Sequence, residues 1–108
     1  MFYEVFLNII GNAIKYSSQA EHPIIKIWSE LNEEEVIFKV KDNGIGIKQE
    51  DYNKMFKLFS RMSNTGNISG NGVGLSIAHR MMDRMNGGIS FESKVGEGTT
   101  FILTFKKI

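Results

Sequence analysis

The sequence contains no cysteine. That excludes a disulfide framework and a thiolate metal site, and it suits a reducing cytoplasm, the expected location. Excess charge of either sign is also missing: 13 Lys and Arg face 12 Asp and Glu, for a formal net charge of +1. So weak a field gives no support to a nucleic-acid or anionic-membrane partner, and neither is expected. No apolar run approaches the ~20 residues that cross a bilayer, and no signal-peptide pattern opens the chain. A soluble domain that makes no membrane contact of its own is expected. No repeat, low-complexity tract or linker divides the 108 residues, of which 42% are hydrophobic and 23% charged. They read as one globular domain, 1–108, expected to be monomeric in isolation.

What is present begins with "MFYEVFLNIIGNAIKYSS", where Phe2, Val5, Phe6, Ile9, Ile10, Ala13 and Ile14 recur at helical spacing on one face, with Asn8, Asn12 and Lys15 along its flank. "PIIKIWSEL" and "EEVIFKVKD" alternate apolar and polar residues around the turn "NEE", the pattern of a hairpin with one buried face. "QEDYNKMFKLF" is a short helical segment carrying Met55, Phe56 and Phe59. A polar stretch, 60–71, is long enough to act as a lid. A second long helix, "VGLSIAHRMMDRM", turns Leu75, Ala78, Met82 and Met85 inward and ends at "NGG". Strands "GISFES" and "TTFILTF" close the chain around "KVGEG". This order predicts an α+β fold: a two-layer α/β sandwich with helices on one face of a mixed, mostly antiparallel sheet.

In "SGNGVGLSIAH", Gly70, Gly72 and Gly74 precede a helix start, where unpaired N–H groups favour an anion such as phosphate. The stretch lacks the lysine and hydroxyl of a P-loop, and a polar loop rather than a strand precedes it, so it is not a dinucleotide fingerprint. Counter-charge must come from elsewhere. Asn8 and Asn12 stand at i, i+4 on one helical face with Lys15 a turn further; an amide carbonyl is a hard ligand for Mg²⁺, and a lysine neutralises phosphate. In "DNGIGI" the carboxylate of Asp42 can accept from an exocyclic amine, and two glycines let a flat ring lie against the backbone. Taken singly, these residues also read as a polar helix flank and ordinary turns. Taken together, they suggest a Mg-nucleotide.

Five stretches in order resemble the N, G1, F, G2 and G3 boxes of the catalytic ATP-binding domain of bacterial sensor histidine kinases, in the GHKL superfamily. They are "FLNIIGNAIKYS", "DNGIGI", "MFKLFSRM", "GNGVGLSIAHRMMDRMNGGI" and "VGEGTTF". The resemblance spans nearly the whole chain and implies the Bergerat fold, ATP and Mg²⁺. It matches Asn12 to a Mg²⁺-coordinating asparagine, with Asn8 in the same site, and matches Lys15 and Tyr16 to residues that contact phosphates and ribose or base. It matches Asp42 to the acceptor for the adenine amino group, supported by Gly44, Gly46 and Thr99. Gly70, Gly72, Gly74 and Leu75 fall in the backbone that cradles the triphosphate, and Arg61 matches a lid arginine near the γ-phosphate. Catalytic roles are thereby implied for Asn8, Asn12, Lys15 and Arg61.

Position 8 separates branches of the superfamily. ATP-hydrolysing relatives carry a glutamate there to activate water, whereas Asn8 has no basic carboxylate. Histidine needs less help, because neutral imidazole is already a nucleophile. The resemblance therefore implies phosphoryl transfer to a histidine on a separate dimerisation domain, with a response regulator as the next partner. It further implies a strand pair ahead of the first helix and a histidine-bearing helical hairpin, and neither is found in these residues. A non-catalytic nucleotide-binding module and a GHKL ATPase fragment remain the alternatives. His22 and His79 read as surface or packing residues.

Overall fold

In the computed structural model, which describes residues 2–54 and 74–107, the opening apolar pattern forms helix α1, Phe2–Ser17. Val5, Ile9 and Ala13 line its buried strip, Glu4 sits in the first turn and Lys15 in the last, as the helix dipole favours. The helix stops where Ser17 Oγ turns back to donate to Ala13 O at 2.7 Å. A side chain that competes for helix carbonyls in this way weakens continuation.

The alternating stretches form β1, Ile25–Leu31, and β2, Glu35–Asp42. Asn32 sets their turn, its Oδ1 accepting from the amides of Glu34 (2.9 Å) and Glu35 (2.8 Å). A 3-10 turn, Gln49–Lys54, follows, then helix α2, Gly74–Arg84, and strands β3, Gly88–Lys94, and β4, Gly98–Lys106. Helix α2 ends with Asn86 in the left-handed region at φ 56° and Gly87 N donating to Met82 O at 2.9 Å, which satisfies a terminal carbonyl. The described strands pair in the order β1-β2-β4-β3, every pair antiparallel.

Register decides which side chains share a face. Val36, Phe38, Val40 and Asp42 of β2 stand opposite Phe105, Leu103, Phe101 and Thr99 of β4, and both helices pack on this side. Val40, Phe101 and Leu103 join Val5, Ile9, Ala13, Ala78 and Met82 in the core. Each large apolar side chain buried there contributes about 1.5–3 kcal/mol. Phe38 is held edge-on between Phe6 and Phe105, with ring centroids 5.3 and 5.9 Å apart. On the other face, Glu30 accepts from Trp28 Nε1 and pairs with Lys39 Nζ, both at 3.0 Å. No described helix is long and apolar enough to cross a membrane.

Two expectations about burial need correction. Ile14 is 56% exposed, together with Tyr3 and Leu7 on the flank of α1 away from the core strip. The inward-facing residues of β1 are also largely uncovered, Leu31 to 69%. The reason is strand order: β1 is at the sheet edge, and α1 lies mainly over β2. Alternation marks which face a side chain is on, not whether that face is covered.

Candidate functional site

Asp42 is the last residue of β2, and its side chain turns toward the helices with 1% exposure. Its Oδ1 accepts from Gly44 N at 2.8 Å, while Oδ2 is buried with no hydrogen-bond partner among the described residues. Burial pushes its pKa above the usual carboxylate value, and the amides of Gly44 and Thr99 oppose that shift. A buried acceptor without a donor is costly, and such groups in native proteins call for an explanation. An N–H donor supplied by a ligand is one.

The loop after Asp42 is gripped from two sides. Ile45 N donates to Tyr16 O (3.3 Å) at the end of α1, and Ile45 O accepts from Gly96 N (3.0 Å) in the β3–β4 turn. Gly44 and Gly46 flank Ile45, and a Cβ on either would lie 2.2 Å from a carbonyl oxygen, Tyr16 O in the first case and Lys94 O in the second. Gly46 also has φ +75°, a conformation side chains disfavour. Glycine here lets the loop lie flat between helix and turn. Asn43 ties the same loop to the approach to β1, donating to His22 O and accepting from Ile24 N, both at 2.8 Å.

Along α1, Asn8, Asn12, Lys15 and Tyr16 fall on one flank of the buried strip, all half-buried. Asn12 Nδ2 donates to Asn8 O at 2.8 Å, which leaves the carbonyl Oδ1 as the group it can offer to a cation. The main chain of Tyr16 meets Ile45, so this flank adjoins the loop after Asp42. Thr99 is buried directly across the ladder from Asp42. Gly74 opens α2, and Leu75 beside it is part of the core. Thus Tyr16, Asp42, Gly44, Gly46 and Thr99 are brought together, with Asn8, Asn12 and Lys15 leading away along the helix. Arg61, Gly70 and Gly72, the lid 60–71 and Met55, Phe56 and Phe59 lie outside the described residues. His22 is exposed, and His79 lies 3.7 Å from Asp83 on α2.

Ser93 escaped the sequence reading. Its Oγ is 2.8 Å from Ile47 N, 3.0 Å from Gly98 O and 2.8 Å from Thr99 Oγ1, and its carbonyl accepts from Tyr52 Oη at 2.7 Å. Tyr52 also meets Phe91 edge-on at 5.1 Å, fastening the 3-10 turn to β3. The sequence signals for Ser93 are its place before a glycine turn and its alternation with Ile89 and Phe91, which put it on the covered face without naming its partners.

The family model for histidine kinase-, DNA gyrase B- and HSP90-like ATPases matches residues 1–108. The phytochrome-like protein Cph1 of Synechocystis is 39% identical over 98 residues, covering 91% of this chain and 13% of its own. The signal transduction histidine-protein kinase ArlS of Staphylococcus aureus is 38% identical over 106 residues, covering 96% of this chain and 23% of its own. The chain thus spans less than a quarter of either relative. Among solved structures, the mycobacterial sensor histidine kinase MprB superposes with a TM-score of 0.85 at 19% identity, over 95% of this chain and 70% of that one. Full-length ShkA in complex with AMPPNP superposes with a TM-score of 0.77 at 25% identity, over 94% of this chain and 20% of that one.

Proposed function

The chain belongs to the family of histidine kinase-, DNA gyrase B- and HSP90-like ATPases and is a histidine kinase-type ATPase domain, and from that premise we propose that it binds Mg-ATP and presents the γ-phosphate to a histidine on a separate dimerisation domain. ATP binding is implied by the family. The observation that carries the base assignment is the open, buried Oδ2 of Asp42, which suits the amino group of adenine and repels the C6 oxygen of guanine. The AMPPNP held by the related ShkA supports a triphosphate ligand.

The donor set also fits a divalent cation. Asn12 offers a hard carbonyl oxygen beside Asn8, and Lys15 makes no ion pair with any described residue. Asn12 would hold Mg²⁺, which when bound neutralises phosphate charge. Lys15 would take the remaining charge, and Tyr16 would border the ribose or base. In the transfer, a neutral imidazole nitrogen of the partner domain attacks the γ-phosphorus, the bond to the β,γ-bridging oxygen breaks, ADP leaves with that electron pair, and the imidazole proton passes to solvent. This chain's part is orientation, since in-line placement and charge neutralisation account for most of such catalysis. Asn8 cannot take a proton from water, so hydrolysis by the isolated chain should be slow. The phosphohistidine would then supply a response regulator.

Calorimetric titration with Mg-ATP, followed by incubation with γ-labelled ATP and an added histidine hairpin, tests the proposal. Acid-labile label on the hairpin is expected. Binding without transfer to any cognate hairpin would favour a non-catalytic nucleotide module, and rapid hydrolysis would favour an ATPase. Asn12→Ala is expected to lower Mg-ATP affinity about 10- to 100-fold, the range for a lost bond to a charged partner. Unchanged affinity would remove Asn12 from the metal site. In a competition titration GTP should bind at least about tenfold more weakly than ATP, and equal affinities would refute the role of Asp42.

A further inference from the structure

Ile25 and Asp42 are the last partners in the β1–β2 register, and the next pair outward is Ile24 opposite Asn43. In a regular antiparallel ladder such a pair exchanges two bonds, each main-chain N–H donating to the C=O of the other residue. Only one of the two is regular here. Asn43 N donates to Ile24 O at 3.3 Å, but Ile24 N donates to the side chain, Asn43 Oδ1, at 2.8 Å. The amide of Asn43 thus stands in for its own main-chain carbonyl. Its other half, Nδ2, donates to His22 O at 2.8 Å, which fixes the side chain in that place.

The consequence lies in what shares a peptide with that carbonyl. Asn43 C=O and Gly44 N–H belong to one flat trans unit, so their directions cannot be set independently. Gly44 N–H donates to Asp42 Oδ1 at 2.8 Å, on the covered face where the Asp42 side chain is buried. Ladder bonds lie in the sheet instead. Were Asn43 C=O to take the Ile24 N–H, the same rotation would swing Gly44 N–H into the plane of the sheet and off the carboxylate. We propose that Asn43 is a positioning residue: by giving Ile24 N a side-chain acceptor, it frees the 43–44 peptide to hold Asp42 Oδ1, and so leaves Oδ2 fixed and open for a purine amino group. A carboxylate pinned at one oxygen binds without first losing that freedom. This inference rests on the nucleotide reading above and adds to it the residue that preorganises its base-recognising group.

The test begins on the unliganded full chain, by amide hydrogen exchange resolved at Ile24 and Gly44, with Val40 of the core as the control for global opening. In Asn43→Ala, Gly44 is expected to exchange at least about tenfold faster than in the parent, the measure of one lost bond to a charged group, while Ile24 stays slow because the main-chain carbonyl now serves it. Asn43→Asp keeps an acceptor for Ile24 N at an exposed position and loses only the bond to His22 O, so Gly44 should stay slow. Mg-ATP is then compared by calorimetry with the Mg-triphosphate of purine riboside, which lacks the amino group. The parent and Asn43→Asp are expected to favour ATP by about tenfold or more, and Asn43→Ala to bring the ratio toward one. Loss of a tie alone would speed both amides in Asn43→Ala and weaken both nucleotides equally, and that result would overturn the proposal. So would an Asn43→Asp variant that behaves like Asn43→Ala, or a Gly44 amide that does not change. Each of these leaves the nucleotide reading intact. A parent that binds neither triphosphate would overturn that reading, and the role of Asn43 with it.

Discussion

Asp42→Asn is expected to lower Mg-ATP affinity at least about a hundredfold while raising the thermal stability of the unliganded chain at neutral pH. A bond to a charged partner is worth about 1.5–3 kcal/mol. Here its loss is compounded, because an amide has only one carbonyl: if that oxygen keeps the Gly44 N–H, an NH₂ group faces the adenine amine, and if it turns to the adenine, an NH₂ group faces Gly44 N. Stability moves the other way because burial raises the pKa of Asp42 from its ordinary 3.8. Between that value and its higher folded one, the folded state binds more proton than the unfolded state, so stability falls as pH rises through this window. The asparagine variant escapes the fall. Its advantage in melting temperature should be absent below pH 3.8 and grow as the pH is raised above it. A variant that binds Mg-ATP like the parent, or melts lower at neutral pH, would contradict the reading of Asp42 as a carboxylate held open at a cost in stability.

Gly46→Ala is expected to destabilise the chain by at least about 3 kcal/mol, because left-handed backbone strain and a steric clash act together. For a domain of this size that is a fall in melting temperature of more than about 12 °C. Gly46 has φ +75°, and the added methyl would sit 2.2 Å from Lys94 O, a backbone atom fixed in the β3–β4 hairpin and unable to swing aside. Gly88→Ala is the control, since its Cβ would meet nothing within 4 Å, and a change within about 0.5 kcal/mol is expected. Equal melting temperatures for the two variants would show that the loop does not need its close seat between α1 and the turn.

The helices and both hairpins were legible because their signals are local. Val5, Ile9 and Ala13 repeat at helical spacing, and Asn32 and Asn86 sit where turn chemistry expects them. The glycines of "DNGIGI" suggested room for a flat ring against the backbone, and what Gly44 and Gly46 approach in the fold is the protein's own backbone, at Tyr16 O and Lys94 O. The part that stayed hidden depends on long-range register. Alternation with Ile89 and Phe91 puts Ser93 on the covered face and Ser90 on the other, but only the β3–β4 and β2–β4 pairings set Ser93 in line with Thr99 and Asp42. Ile14 and β1 misled for a related reason. Their apolar residues obey the right periods, but coverage is set by strand order, which pairs β2 with β4 and leaves β1 outermost.

The antiparallel ladder also sets the geography of the domain. Asp42 and the turn at 32–34 lie at opposite ends of β2, whose eight residues span roughly 23 Å. The turn end is closed independently, by Asn32 and by Lys107 N donating to Glu34 O at 2.8 Å. Because the chain has no native thiol, Glu33→Cys would provide a single attachment point for a fluorophore, on an exposed residue of the turn at the far end of β2 from Asp42. A dye there could report on tumbling, surface immobilisation or energy transfer to a labelled nucleotide, a strand's length from Asp42.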